Sequence, residues 1–381
     1  MITMKIYLLA LIVKIDHFIT RFNRGGTARW LTALILETKA IDVYQGLYAG
    51  YVERNEVEDS NFSRLNGKHL KGLERSPNFY REIVSFLKIR KVIKNSNADV
   101  INTHTSKAGV VGRLAALSLG KTRPALVHTF HGHLLYGYFS PLKTKIFTLI
   151  ESFLAKHTDI LIAAGETVKN DLLDQNIGKI SQFQVIDPGI SNLTFKSRAM
   201  ARETFKIQDS EVVVGWLGRL EKIKAPERVI EIALKFPKIR FLVGGEGLMK
   251  DVLTQFAPEN VTFLGWIEPE LFWPACDIAL LTSLNEAQPI SAIEASKCGL
   301  PLVAENVGSV SEVVLEGKTG FLTKSKEERI WAISNLVESS ELRQKFGFSA
   351  KTYVDEKYSL EQFTAKHVEV FTRAIKIHNQ R

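Results

Sequence analysis

The chain alternates short, nearly uninterrupted apolar runs with longer segments whose apolar residues recur every three or four positions. The short runs, bounded by turn residues, predict buried strands, and the 3.6-residue spacing predicts helices packed on them. In the first half the pattern predicts strands at Val13 to Ile19, Asp42 to Tyr51, Asp99 to Asn102, Ala125 to Phe130, Ile160 to Ala164 and Phe183 to Ile186. Helices are predicted over about Thr27 to Thr38, Tyr80 to Lys94, Lys107 to Ser118, Leu142 to Ala155 and Glu166 to Asp174. In the second of these, Ile83, Phe86, Leu87, Ile89 and Val92 fall on or near one face.

The pattern restarts after the turn-like Asp187-Pro188-Gly189. Further strands are predicted at Val212 to Leu217, Ile239 to Val243, Val261 to Leu264, Ile278 to Leu281 and Leu302 to Ala304. Helices are predicted over Ala225 to Phe236, Ser291 to Lys297 and Val310 to Glu316. Strands separated by helices of this length imply βαβ units and a parallel sheet. A length of 381 residues suits two domains at roughly 100–200 residues each. The expected fold class is therefore α/β: two doubly wound, Rossmann-like domains, 1–190 and 191–361, facing an interdomain cleft. Ligands in such sheets bind beyond the carboxyl ends of the strands.

Composition narrows this only a little. At 45% hydrophobic and 24% charged, the chain is neither disordered nor fibrous. Two cysteines, Cys276 and Cys298, form no disulfide framework and match no Cys/His metal spacing, so a reducing cytosol is the expected compartment. The longest apolar run, Ile6 to Val13, has eight residues, against about 20 needed to span a bilayer. Charge adds more. Residues 1–190 hold 25 Lys+Arg against 16 Asp+Glu, a balance of +9, whereas the remainder holds 25 against 25. A basic half suits nucleic acid, anionic lipid or a phosphorylated substrate. With no RNP, zinc-finger or helix-turn-helix signature, no nucleic-acid partner is expected.

Three segments carry candidate chemistry. Gly215-Trp216-Leu217-Gly218-Arg219-Leu220, followed by Lys224, sets two cations where a strand ends; they suit a diphosphate, with solvated surface charges as the alternative. Glu286-Ala-Gln-Pro-Ile-Ser-Ala-Ile-Glu294 spaces two carboxylates eight residues apart around a helix start at Pro289. The free N–H groups there favour an anion, and a carboxylate inside the helix can reach vicinal hydroxyls. Val307-Gly308-Ser309-Val310-Ser311-Glu312 is a weaker phosphate-type turn, as is Gly244-Gly245-Glu246-Gly247.

With the Gly-Lys-Thr-Gly-Phe run at 317–321, these segments resemble, in order and spacing, the second domain of retaining GT-B glycosyltransferases of family 4. The Glu-x7-Glu pattern is that family's hallmark. In the first half the resemblance extends to Gly25-Gly26-Thr-Ala-Arg29, Asn102-Thr-His104-Thr-Ser-Lys107-Ala-Gly109 and His128-Thr-Phe-His131-Gly-His133. It implies that Arg219 and Lys224 hold the donor diphosphate, Glu294 the ribose and Glu286 the donor sugar. Gly218 and the backbone around Gln288, Pro289 (carbonyl only), Ile290 and Ser291 would line sugar and phosphates, and Gly25-Gly26 would approach the phosphates from the first domain. His131 would act near the reacting sugar, making His131, Arg219, Lys224 and Glu286 the candidate catalytic residues. His104, Lys107 and His133 are acceptor-side candidates, and His128 reads as a hydrogen-bonded core residue. A C-terminal helix, about 362–381, would pack back on the first domain. One departure is that relatives often have Glu-Gly or Glu-Pro-Phe-Gly where this chain has Glu286-Ala-Gln, which leaves the donor sugar open.

The resemblance further implies metal-independent transfer without a cofactor, in keeping with a sequence free of Asp-x-Asp. Its histidine-rich segments look like a subgroup assigned to capsule, O-antigen and exopolysaccharide assembly. That subgroup adds a sugar, here expected from a UDP-sugar, to an undecaprenyl-diphosphate-linked glycan. The expected location is cytoplasmic, peripheral on the inner face of the bacterial plasma membrane. Tyr136, Tyr138, Phe139, Leu142, Ile146, Phe147, Leu149, Ile150 and Phe153, interleaved with Lys143 and Lys145, suit an anionic membrane interface or a core helix capped by lysines. Met1 to Ile12 precedes the family's first strand and reads as an anchor, an extra edge strand or an upstream start codon. A soluble-acceptor transferase, a sugar-nucleotide epimerase and a silent partner subunit are the alternatives.

Overall fold

The apolar runs fold as parallel strands, most of them covered on both faces, as their lack of polar alternation requires. In the computed structural model, residues 13–41, 43–54, 56–74, 79–132, 141–190 and 193–381 are described. Met1 to Ile12, His133, Tyr136, Tyr138 and Phe139 lie outside them. The chain divides into unit 1, Met1–Gly189 with Leu360–Arg381, and unit 2, Ile190–Ser359.

Unit 1 contains β1 (Lys14–Arg21), β2 (Tyr44–Gly50), β3 (Lys68–His69), β4 (Val100–His104), β5 (Ala125–Phe130), β6 (Ile160–Ala163) and β7 (Phe183–Val185). They pair in the order β3-β2-β1-β4-β5-β6-β7, all parallel. β4, β5 and β6 are buried at every position. The helix Leu360–Asn379 belongs to this unit although it follows unit 2 in sequence. It adds Phe363, Val370, Phe371 and Ala374 to a core holding Ile15, Trp30, Val100, Val127 and Ile162. Burying one large apolar side chain contributes roughly 1.5–3 kcal/mol, so this helix is an integral part of the unit.

Unit 2 contains β8 (Val213–Leu217), β9 (Arg240–Gly244), β10 (Val261–Gly265), β11 (Ile278–Leu281), β12 (Leu302–Glu305) and β13 (Gly320–Thr323). Their order is β10-β9-β8-β11-β12-β13, again all parallel. Chain direction through the sheet reverses at β1/β4 in unit 1 and at β8/β11 in unit 2. Beyond the carboxyl ends of such strand pairs the flanking loops diverge and leave a crevice.

Two predicted helices are shorter than their periodicity suggests. Ala225 adopts a left-handed conformation (φ 45°, ψ 52°), and the proline that follows disfavours right-handed helix there. The helix therefore runs Glu227–Ala233. Val310 to Glu316 forms a single 3-10 turn, Val310–Glu312. The helices Arg198–Thr204, Lys250–Phe256, Lys326–Glu338 and Ser340–Lys357 were not predicted.

Candidate active site

In unit 2 the loops leaving β8 and β11 meet at the reversal point. Lys224, at the end of the β8 loop, places Nζ 2.5 Å from Glu286 Oε1 in the β11 loop. Ser283 Oγ donates to the same oxygen at 2.7 Å. Glu286 is buried, so cation and hydroxyl together offset the desolvation of its carboxylate. Beneath them Thr282 Oγ1 donates to the Lys224 carbonyl (2.9 Å) and accepts from Trp216 Nε1 (2.9 Å). Arg228 donates to the Thr282 carbonyl and pairs with buried Glu305, which also holds Arg329. These supports fix the loops through the strands on which they stand.

Glycines then bring further backbone to the loops. Gly245 (φ 134°) and Gly308 (φ 51°) are left-handed, and a Cβ on either would overlap a carbonyl oxygen, that of Gly218 or Glu286. Gly218 N donates to the Gly244 carbonyl and Ser309 N to the Glu286 carbonyl. Gly308 thus packs the β12 loop against Glu286. Beyond Glu286, Pro289 caps the helix Ile290–Lys297 and accepts from Ala292 and Ile293, while Ile290 and Ser291 occupy its first turn. Glu294 lies one turn in and is buried. Arg219 shares the β8 loop but is half-exposed and pairs with Glu221 at 2.8 Å. The Gly317–Phe321 run lies elsewhere: it leads into the start of β13, at the opposite edge of the sheet from the carboxyl-end loops.

In unit 1 the corresponding edge carries the glycine loop and the histidines. Gly25 (φ 158°, ψ −177°) occupies a region essentially restricted to glycine and begins the helix Gly26–Lys39. Trp30, one turn into that helix, stands edge-on to His131 at 5.0 Å between centroids. His104, the last residue of β4, is bonded to His131 at 2.9 Å and, on its other side, to buried His17 at 3.0 Å. Thr105 (φ 63°) is a β-branched residue in a disfavoured conformation, held by hydroxyl bonds to Thr20 and to the His104 carbonyl. Lys107 is engaged by Glu82 (2.8 Å) and by the Glu74 carbonyl. His128 is buried on the other face, bonded to Thr103. Burial lowers His17 to about 4 and His131 to about 3, and holds His104 and His128 well below the usual imidazole range. His133 lies outside the described residues.

Sequence reasoning singled out Lys224, Glu286 and Glu294 but passed over His17, Thr282, Ser283 and Arg228. The Thr-Ser pair directly after an apolar strand was the available signal for two of these. Among the described residues no group of three or more His, Cys, Asp or Glu could hold a metal ion.

A glycosyltransferase fold accounts for two such units with loops of this construction. The family described as Glycosyl transferases group 1 matches residues 197–353, and Glycosyltransferase Family 4 matches residues 26–191. Together they take in most of the chain, which belongs to the GT-B glycosyltransferases of family 4. An uncharacterized 41.2 kDa protein in the cps region of Klebsiella pneumoniae is 28% identical over 64% of this chain and 70% of its own length. A D-inositol 3-phosphate glycosyltransferase of a Mycobacterium strain (KMS) is 31% identical over 61% of this chain; the match spans 57% of that relative. Anabaena HepE, crystallised with UDP and glucose, shares the fold at TM-score 0.79 and 20% identity, over 94% of this chain and 98% of that one. WaaG, a glycosyltransferase involved in lipopolysaccharide biosynthesis, does so at TM-score 0.72 and 17% identity, over 94% and 99%.

Proposed function

We propose that the protein is a retaining, metal-independent glycosyltransferase that moves a hexose or N-acetylhexosamine from a UDP-sugar to a lipid-diphosphate-linked glycan in surface polysaccharide synthesis. The observation that carries the donor half of this reading is the Lys224–Glu286 pair, which joins the loops after β8 and β11 at the reversal of the sheet. There the cation meets the leaving diphosphate, and the amides at Ile290 and Ser291 add the partial positive charge of a helix start. Fixed charges aimed at the departing β-phosphate stabilise it without rearranging as charge develops. Glu286 would turn its carboxylate to the sugar hydroxyls, Glu294 would hold the ribose, and Arg219 would exchange Glu221 for phosphate. The UDP and UDP-glucose complexes of HepE support a uridine donor.

Glu294→Ala should weaken UDP and UDP-sugar alike, whereas Glu286→Ala should mainly weaken the intact sugar nucleotide. Calorimetry with both ligands checks this, and equal losses in both variants would undo the division of roles.

The acceptor half rests on a surface. Leu142, Ile146, Leu149, Ile150 and Phe153 form one exposed stripe along the helix Pro141–Lys156, beside exposed Lys143 and Lys145. On the helix Phe79–Ser96, Tyr80, Ile83 and Leu87 are exposed as well, near Lys88, Lys91 and Lys94. Unit 1 as folded holds 29 Lys+Arg against 18 Asp+Glu, a balance of +11, and unit 2 holds 21 against 23, a balance of −2. An apolar stripe flanked by cations suits the interface of an anionic membrane. No described helix is long and apolar enough to cross one. The protein in the Klebsiella cps region supports the polysaccharide setting, and the D-inositol 3-phosphate glycosyltransferases support a soluble acceptor instead.

Liposome flotation separates the two. Binding should rise with anionic lipid and fall with salt, since each surface cation contributes about 1 kcal/mol, screened over about 10 Å at 0.1 M. Charge reversal at Lys143 and Lys145 should weaken it. Absence of flotation by the full chain at low salt would favour the soluble acceptor.

A further inference from the structure

Four polar side chains step diagonally across unit 1, three from the adjacent strands β2, β1 and β4 and the fourth from the residue that follows β5. Gln45 of β2 lies opposite Ile15 of β1, and His17 is two residues further along β1. His17 lies opposite Asn102 of β4, with His104 two further; His104 lies opposite Thr129, with His131 two further and just beyond β5. Side chains two apart share a face, so the row climbs one face of the sheet from its interior to its carboxyl edge. Consecutive members are hydrogen-bonded: His17 Nε2 to Gln45 Oε1, His17 Nδ1 to His104 Nε2, and His104 Nδ1 to His131 Nε2.

The row has a fixed polarity because one end is anchored in a helix. The Thr38 hydroxyl donates to the Leu34 carbonyl, which spends its only proton. Its oxygen must therefore accept, and Gln45 Nε2 donates to it. That aims the Gln45 carbonyl oxygen at His17, so Nε2 of His17 carries the proton. A neutral imidazole has one N–H and one bare nitrogen. His17 Nδ1 then accepts from His104 Nε2–H, and His104 Nδ1 accepts from His131 Nε2–H. Only Nδ1 of His131 is left, without a proton.

We infer that Thr38, Gln45, His17 and His104 are positioning residues that lock His131 in the Nε2–H tautomer, so that its Nδ1 accepts a hydrogen bond from a substrate hydroxyl. The inference rests on the glycosyltransferase reading only for the identity of that hydroxyl as a sugar's; the polarity stands on the bonds alone. Burial above all keeps the row neutral, and the charges packed against it act in the same direction. His128 on β5, with Arg113 beside it, and His367 with Lys366 on the C-terminal helix all disfavour a further positive charge. His367 Nδ1 donates to the Phe363 carbonyl, so it too presents a bare nitrogen.

The test begins with the wild-type full chain labelled with 15N-histidine. Ring carbon-proton correlations to the two nitrogens report which one is protonated, before any substrate is added. The expected pattern for His131 is a protonated Nε2 and a bare Nδ1. A protonated Nδ1, or an even mixture, overturns the inference whatever the enzyme transfers. Thr38→Val removes the anchor, lets the Gln45 amide turn over, and should convert His131 to a mixture; an unchanged spectrum also overturns it. For function, His104→Leu breaks the row, whereas His104→Gln can still donate at one end and accept at the other. Transfer should fall about tenfold in the first, the equivalent of one hydrogen bond, and return to within a few-fold of wild type in the second. If both variants lose transfer equally with the wild-type tautomer as expected, the positioning role falls. If neither Lys224→Met nor these variants alter transfer, the proposed function fails instead.

Discussion

Replacing Lys224 by methionine should lower glycosyl transfer about a hundredfold or more, the loss typical of removing one preorganised donor from a developing anion. The substitution keeps most of the side chain's bulk, so the fold should persist. It does leave Glu286 with only Ser283 at Oε1, and a buried carboxylate stripped of its cation destabilises its surroundings. Combining it with Glu286→Gln removes that orphaned charge and should restore the melting temperature without restoring transfer. Arg219→Ala should act in the same direction, since Arg219 stands on the same loop. Its pairing with Glu221 must first be exchanged for phosphate, however, so its share is smaller. Steady-state rates with thermal melting separate these effects. Wild-type turnover in folded Lys224→Met would remove the diphosphate assignment.

Acidification should unfold unit 1 before unit 2. All nine histidines of the chain lie in unit 1. Burial lowers His17 to about 4 and His131 and His367 to about 3, with His104 and His128 also well below normal. Above about pH 6.5 these groups are neutral folded or unfolded and add no pH dependence. Below it the unfolded chain takes up protons that the folded unit refuses, so stability falls with pH until the lowered values are reached. Each histidine contributes about 1.4 kcal/mol per pH unit, and five together up to about 7. Against a typical stability of 5–15 kcal/mol, the unit should open between about pH 6 and pH 4.5. Hydrogen exchange followed segment by segment checks this. Simultaneous loss of protection in both units, or none above pH 4, would contradict it.

The strands were legible because a parallel strand buried on both faces is a continuous apolar run, and Ala125–Phe130 and Ile278–Leu281 match their predicted bounds. Helices with a thin buried stripe were not. Ser340–Lys357 buries only Phe346, Gly347, Ala350 and Val354 among eighteen residues, too sparse to stand out. β3 has two residues, and no periodicity exists over that length. At the candidate site, Lys224 was legible through its spacing in the β8 loop, and Glu286 and Glu294 through theirs across the β11 loop and the helix that follows. The histidine row was not, since its members lie 28 and 87 residues apart until parallel register aligns them. His17, inside an apolar run, read as part of a strand.

The return of Leu360–Asn379 to unit 1 has a consequence for biosynthesis. Unit 1 is discontinuous, and the helix that covers Trp30 and Val127 is translated only after all of unit 2. At about 5–20 residues per second, residues 190–381 take about 10–40 seconds to leave the ribosome. For that interval the nascent first unit exposes an apolar face and the row of imidazoles beneath it, while unit 2, continuous in sequence, is free to fold. Chaperone demand should therefore peak late in synthesis, and truncation before Leu360 should yield an aggregating chain with an intact second unit.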